Sequence, residues 1–171
     1  MTYSLIGVTV FVYLLQLASQ AFLKFDFPVG LLAKSNDLIR DGQLWRLLTP
    51  ALVHGGIAHI GFNMYALFIF GVGLERAFGH WRFLLLYALG AFAGNVMSFL
   101  FTTGVSVGAS TAIFGLIGAE LVFLIQNRRL FAGQFRSAIG NVIFIIFVNL
   151  FLGLAPSIDN WGHIGGLVGG H

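Results

Sequence analysis

The sequence predicts an all-α, polytopic membrane protein whose helices form a single bundle. First, 58% of its 171 residues are hydrophobic and only 9% are charged, whereas a soluble domain carries roughly a quarter charged residues. Second, the mean hydropathy is +0.92, and the apolar residues lie in blocks close to the ~20 residues that a membrane-spanning helix needs. Third, these blocks do not break into the alternating segments of about ten residues that are typical of an outer-membrane barrel.

Six apolar segments can be drawn, at about residues 4–23, 57–74, 82–103, 109–126, 137–155 and 161–171. Together they predict one six-helix domain over residues 1–171. The first segment has no basic stretch before it and no small-residue cleavage site after it, so a spanning helix is favoured over a signal peptide. The sixth segment covers only about 16 Å as a helix, against a hydrocarbon core of ~30 Å. We therefore expect this helix to be truncated here or to continue beyond His171.

Residues 24–56 form a long first loop between the first two segments. Loops of this length usually have structure of their own, and the apolar pairs within it predict short helices at the membrane interface. The basic residues of the chain lie in loops and do not form one patch, so we expect no nucleic-acid partner. There is no cysteine, which excludes disulfides and thiolate catalysis.

Basic residues distinguish the two sides of the predicted bundle. The short loops after the second and fourth segments carry Arg76, Arg82, Arg128, Arg129 and Arg136. Positively charged short loops stay in the cytoplasm, so the amino terminus is predicted to be cytoplasmic. Ser110 and His163 then lie toward the opposite face. The compact chain favours the inner membrane of a bacterial cell.

Ser110 and His163 stand near the starts of the fourth and sixth segments. Polar side chains within a membrane are costly and are functional candidates by default. A serine needs a base to become a nucleophile, and His163 is the histidine best placed to serve Ser110. The N-terminus of a helix also favours the negative charge that develops when a serine attacks a carbonyl.

Three further residues can support such a pair. His59 and Asn63 are four residues apart and share one helix face, where both could donate hydrogen bonds to an oxyanion. The alternative is that they bond to each other or to backbone groups. Phe114 lies one turn after Ser110, where its ring could hold the His163 imidazole. Glu120 lies roughly 15 Å further along the helix, and we expect it to be structural.

Other catalytic centres fit less well. His54, His59 and His163 could form a metal site on paper. The chain has no His-Glu-x-x-His motif, however, and this argues against an intramembrane metalloprotease. An aspartyl protease would need paired aspartates within helices, and every aspartate falls in a predicted loop. We expect neither a metal nor another cofactor.

Several motifs, taken in order, resemble the rhomboid intramembrane serine proteases. They are Trp45-Arg46, His54, His59-x-x-x-Asn63, Gly71-x-x-x-Glu75-x-x-x-Gly79, Gly108-x-Ser110 and Gly162-His163-x-Gly165-Gly166. The resemblance covers most of the chain. It implies a rhomboid-like bundle and an intramembrane serine endopeptidase that uses no cofactor.

By this resemblance, Ser110 is the nucleophile and His163 the general base of a dyad. The oxyanion would be stabilised by His59, Asn63 and the Ser110 backbone N–H. The resemblance also implies supporting roles for Trp45, Arg46, His54, Gly108 and Phe114. The Trp45-Arg46 loop would lie partly in the outer leaflet.

The resemblance further implies that substrates are single-pass transmembrane proteins. They would enter from the lipid bilayer between the second and fifth helices and be cut near their extracytoplasmic ends. Two positions depart from the common family pattern: Thr111 stands where many members have glycine, and Phe114 where many have tyrosine.

Two other functions compete with this interpretation. A catalytically inactive rhomboid-like protein would bind membrane proteins without cutting them, but the presence of both Ser110 and His163 favours an enzyme. A small transporter would also place polar residues in helices, yet it would typically show broken helices in paired repeats, and no repeat is seen in this sequence. The pattern indicates neither the natural substrate nor an oligomeric state.

Overall fold

The computed structural model describes residues 1–152 and 158–170, and in this part of the chain the architecture is helical. The helices are α1 (Thr2–Leu23), α2 (Phe27–Leu32), α3 (Asn36–Arg40), α4 (Ile57–Phe78), α5 (His80–Phe101), α6 (Ser110–Gln126), α7 (Arg128–Phe131), α8 (Phe135–Leu152) and α9 (Asn160–Gly169). The ends of two predicted segments, residues 153–155 and residue 171, lie outside the described residues.

Helix length and composition make this an integral membrane protein. Helices α1, α4 and α5 each have 22 residues, which corresponds to about 33 Å of helix. Each is long and apolar enough to cross a bilayer. Helices α6 and α8 are shorter but also apolar. The predicted class, a polytopic helical bundle with a long first loop, is confirmed.

Helix α4 runs four residues further than the sequence predicts and turns directly into α5. Glu75, expected in a loop, is helical, and its carboxylate accepts bonds from the Thr2 backbone N–H at 2.8 Å and the Thr2 hydroxyl at 2.7 Å. A partner on α1 thus satisfies this charge within the bundle. Gly79 alone separates α4 from α5, and its φ of +81° is a conformation that favours glycine.

The first loop folds into α2, α3 and two 3-10 turns, Leu44–Leu47 and Thr49–Leu52. Its centre is Arg46, which is only 3% exposed. The guanidinium donates to the carbonyls of Ala33 at 2.7 Å and Gly30 at 2.8 Å, and to the Gln43 side chain at 2.8 Å. Short helices do form in this loop, as predicted. The hydrogen bonds of Arg46 join the first 3-10 turn to α2 and the residue that follows it.

Helices α5, α6 and α9 pack against one another with almost no side chain between their backbones. A Cβ added to Gly90 on α5 would lie 2.8 Å from the Cα of Gly115 on α6, and one added to Gly166 on α9 would meet the carbonyl oxygen of Thr111. Small residues allow membrane helices to approach this closely. Helix α9 begins with the turn that carries His163, so this packing brings the histidine to the start of α6.

Candidate active site

Ser110 is the first residue of α6, and the backbone before it is shaped by glycine. Gly108 has a φ of +121°, and a Cβ there would lie 2.7 Å from the Cε1 and Nε2 atoms of the His59 ring. Only glycine meets both conditions without strain. Gly108, which the resemblance marked as supporting, therefore lets His59 approach the segment that leads to Ser110.

His163 and Ser110 meet although they are 53 positions apart in the chain. The Nε2 atom of His163 lies 3.0 Å from the Ser110 Oγ, within hydrogen-bonding distance. The histidine is only 8% exposed. Its ring stacks on Phe114 with centroids 4.4 Å apart and an interplanar angle of 7°. A hydroxyl and an imidazole in this arrangement can exchange a proton, which is the first requirement of an activated serine.

His59 and Asn63 occupy the first turns of α4, on the same side as Ser110. The His59 Nδ1 accepts a hydrogen bond from the Gly55 backbone N–H at 3.3 Å, which directs the other edge of the ring toward Gly108. The Asn63 amide donates to the His59 backbone carbonyl at 2.9 Å. Backbone bonding, the alternative raised for this residue, thus occurs. Since a side-chain amide has two N–H groups, this bond uses one of them.

His54 contacts the backbone next to Ser110, which its position in the sequence did not indicate. Its Nε2 accepts the Ala109 backbone N–H at 3.2 Å, and its backbone N–H donates to the Gln16 side chain at 3.0 Å. Burial, followed by the neighbouring His59, lowers the pKa of His54 to about 3. His54 is therefore a neutral acceptor at neutral pH and holds the backbone next to Ser110.

The remaining predicted residues lie apart from the Ser110–His163 pair. The Trp45 indole donates to the Leu31 carbonyl at 3.2 Å, and Arg46 bonds within the first loop, so both organise that loop. Glu120 is half-buried near the other end of α6, where it lines a cavity of about 210 Å³ with Phe70 and Phe123. The structural role expected for Glu120 stays a prediction.

Two polar residues near the site were missed by reasoning from the sequence. Gln16 is 1% exposed on α1, and its amide donates to the His54 carbonyl at 3.0 Å; the available signal was a glutamine within a predicted membrane-spanning segment. Asp159 precedes α9 and accepts the Gly162 N–H at 3.0 Å. An aspartate three residues before a helical glycine is a recognisable N-cap signal, which could have identified it.

The fold and this site define a polytopic helical membrane protein with a serine and a histidine paired at one end of its bundle. Residues 41–171 match the family model described as the rhomboid domain. Over 170 residues, 99% of this chain and 33% of the relative, the sequence is 44% identical to rhomboid protease GluP of Bacillus subtilis (strain 168).

Plant proteins give similar matches. RHOMBOID-like protein 1 of Arabidopsis thaliana is 42% identical over 134 residues, which are 78% of this chain and 34% of the relative. RHOMBOID-like protein 6, mitochondrial, of the same plant is 41% identical over 134 residues, 78% of this chain and 43% of the relative. The chain thus spans from about a third to somewhat less than half of the length of these relatives. The chain belongs to the rhomboid family, as the motifs predicted.

Proposed function

We propose that the protein is an intramembrane serine endopeptidase in which Ser110 is the nucleophile and His163 the general base. The single observation that carries this proposal is the 3.0 Å contact between the His163 Nε2 and the Ser110 Oγ. Membership of the rhomboid family and the 44% identity to a relative named as a rhomboid protease support the same activity.

The reaction would proceed through an acyl-enzyme. The Ser110 oxygen attacks the scissile carbonyl carbon while its proton passes to the His163 Nε2. The imidazolium then gives that proton to the leaving amine as the carbon–nitrogen bond breaks. A water molecule, deprotonated by the same imidazole, hydrolyses the ester and regenerates Ser110. The Phe114 ring, stacked on the imidazole, keeps His163 in one orientation throughout.

The oxyanion would be stabilised at the start of α6. The first N–H groups of a helix have no partner within it, and the positive end of the helix dipole lies there. His59 would add a ring N–H from the α4 side, where its ring contacts the Gly108 position. Asn63 would add the amide N–H that its bond to the His59 carbonyl leaves for a second acceptor. Preorganised donors of this kind commonly provide a large part of the catalytic effect.

The proposed substrates are single-pass transmembrane proteins that reach the site from the lipid bilayer between α4 and α8. The exposed apolar side chains along α8, such as Phe144 and Phe147, are compatible with an approach through lipid. Five arginines lie within helices, at the ends remote from Ser110: Arg76 in the last turn of α4, Arg82 in the first turn of α5, Arg128 and Arg129 in α7, and Arg136 in the first turn of α8. By the positive-inside rule, cleavage would take place near the extracytoplasmic face, with a cytoplasmic amino terminus in a bacterial inner membrane. No cofactor is required by this chemistry.

The proposal is tested with the full chain in liposomes, using a model single-pass transmembrane substrate. Replacement by Ser110→Ala or His163→Ala should lower the cleavage rate at least about a thousandfold, because the two residues act as one unit. Labelling by a fluorophosphonate should disappear in Ser110→Ala. His80→Gln, which alters an exposed histidine far from Ser110, is the matched control and should cleave normally.

The same assay separates the proposal from a binding protein without catalysis. If the parent chain captures the substrate but neither cleaves it nor reacts with the fluorophosphonate, the endopeptidase assignment is wrong. Cleavage that survives in either alanine variant would show that Ser110 and His163 do not perform the chemistry.

A further inference from the structure

Asp159 organises the first turn of the helix that carries His163. Its carboxylate accepts the Gly162 backbone N–H at 3.0 Å, and its backbone carbonyl accepts the N–H of His163 itself at 3.2 Å. An N-cap of this kind sets the direction in which a helix begins. The orientation of His163 therefore depends on where Asp159 is held.

Three hydroxyl groups from other elements hold the same carboxylate. Ser98 and Thr102 come from the end of α5, and Ser106 comes from the loop that leads to Ser110. All three donate to Asp159, Thr102 at 3.0 Å and Ser106 at 2.5 Å. Burial by itself would raise the pKa of Asp159, but these bonds together with the Gly162 N–H hold it below its ordinary value. The group is thus an anion at neutral pH that joins three elements.

Lys34 places the opposite charge beside this carboxylate. It is 0% exposed, and its ammonium donates to the carbonyls of Thr102 at 2.7 Å and Gly104 at 3.0 Å. Its backbone also pairs with Ser106 in both directions, at 3.0 and 3.2 Å. Burial lowers the pKa of Lys34, while the charge of Asp159 raises it. Buried charges persist in proteins when hydrogen bonds and opposite charges compensate them. Here both groups are hydrogen-bonded, and Lys34 lies close enough to Asp159 for the charge of the carboxylate to act on it.

The Asp159 cluster, defined as Lys34, Ser98, Thr102, Ser106 and Asp159, consequently touches both halves of the site. Ser106 lies four residues before Ser110, and Asp159 lies four residues before His163. Both halves converge on one carboxylate, although the two catalytic candidates come from distant parts of the chain. Since a displacement of about 1 Å can cost a hundredfold in rate, a shared anchor would have a measurable effect.

We propose that Asp159 is a positioning residue, which sets the distance between Ser110 and His163 by binding the start of α9 to the loop before α6. Lys34 provides the counter-charge that keeps the buried carboxylate in place. The inference rests on the proposed function for its biological meaning, but the geometry that it asserts can be measured without proteolysis.

A single introduced thiol provides that measurement, because the chain has no cysteine of its own. In the Ser110→Cys variant, the thiol proton passes to the His163 Nε2 as sulfur attacks iodoacetamide, a carbon–sulfur bond forms and iodide leaves. The alkylation rate thus reports the pairing of position 110 with the imidazole. The alkylation rate of the Ser110→Cys, His163→Ala double variant gives the reference value in the absence of the imidazole base.

Asp159→Asn in the Ser110→Cys background should lower the alkylation rate about tenfold. Asn still caps the helix through its side-chain oxygen but lacks the charge that faces Lys34. Asp37→Asn is the matched control, because its carboxylate is 90% exposed and bonds to Arg40, also exposed, at 3.2 Å; its rate should equal that of the background. Rates are compared in detergent well below the thermal midpoint of each variant, so that loss of folded protein does not contribute.

Equal alkylation rates in Asp159→Asn and Asp37→Asn would overturn the positioning role, even if the thermal midpoint of Asp159→Asn fell. If Asp159→Asn yields no folded protein, Ser98→Ala takes its place, since it removes one hydroxyl and keeps the cap. That variant should react about threefold more slowly than the background, and an unchanged rate would also overturn the role. A parent chain that does not cleave substrate, while alkylation still responds to Asp159, would refute the proposed function and leave the positioning role standing.

Discussion

Helices α5, α6 and α9 differ sharply from α8 in how they are held. In the first group, backbones touch: a Cβ on Gly94 of α5 would lie 2.6 Å from the Gly162 carbonyl oxygen and 2.6 Å from the Thr111 Cβ. On α8, a Cβ on Gly140 would meet no atom of the described residues within 4 Å, and large side chains such as Phe144 and Phe147 are exposed. The glycine-packed helices carry both members of the candidate dyad, whereas α8 carries none.

This difference indicates how one small bundle can combine a fixed site with a route for a large substrate. Close packing leaves few alternative arrangements of α6 and α9, which suits a serine and a histidine that must remain 3.0 Å apart. Within the described residues, α8 packs mainly against α6, and its Val142 belongs to the buried apolar core. A helix held on one side can be displaced at a lower cost than one packed between two neighbours.

A large loss of stability should come from adding one methyl group at a close backbone contact between helices. Gly94→Ala forces its Cβ against the Gly162 carbonyl and the Thr111 side chain, and overpacking of this kind costs typically about 1–3 kcal/mol. Gly140→Ala makes the same chemical change on α8, where there is space, and should alter the free energy of unfolding by less than about 1 kcal/mol. Reversible unfolding in mixed detergent micelles measures both. Similar losses in the two variants would remove the distinction between the regions.

A second prediction concerns the protonation of His54, which bonds the backbone just before α6, and its effect on stability. The pKa of His54 is about 3 in the folded protein, against an ordinary value of 6.5. Between these values the unfolded chain binds more protons, so the free energy of unfolding falls as the pH drops from 6.5 toward 3. From pH 7.5 to pH 4.5, the parent should therefore lose about 3 kcal/mol more than His54→Gln. The same loss in parent and variant would show that His54 is not protected from protonation.

A third prediction separates Gly108 from a neighbouring glycine. Gly108→Ala combines a φ of +121° with a clash against His59, so proteolysis and fluorophosphonate labelling should both fall about tenfold to a hundredfold. Gly104→Ala, in the same loop, adds a Cβ that meets nothing within 4 Å, and should leave both rates unchanged. Equal rates in the two variants would contradict the role given to the Gly108 backbone.

The smallest effect is expected on α8. Phe147 is 65% exposed, so Phe147→Ala should change the free energy of unfolding by less than about 0.5 kcal/mol. Cleavage of a transmembrane substrate should change by about twofold, since gating segments influence entry, while labelling by a small fluorophosphonate stays constant. Leu116→Ala on α6, which is 0% exposed, should by contrast cost about 2–5 kcal/mol. A large loss of stability in Phe147→Ala would show that α8 is packed as firmly as α6.

The sequence by itself determined the class of the protein, the number of long apolar segments and the identity of the family. Hydrophobic length and scarcity of charge are local properties, so they can be read from any short stretch of the chain. Ser110 and His163 were recognisable for the same reason, since each is a polar residue placed at the start of an apolar run. The capping role of Asp159 was also encoded locally, although it was overlooked.

Only the tertiary structure decided which of these residues meet. The bond between Glu75 and Thr2 joins α4 to α1, and the bond between His54 and the Ala109 N–H joins the first loop to the start of α6. Folding brings these distant partners together. The 3.0 Å contact between Ser110 and His163 depends on glycines of α5, α6 and α9 that let three backbones touch. Distances between remote residues arise from packing the whole bundle, and no local pattern specifies them.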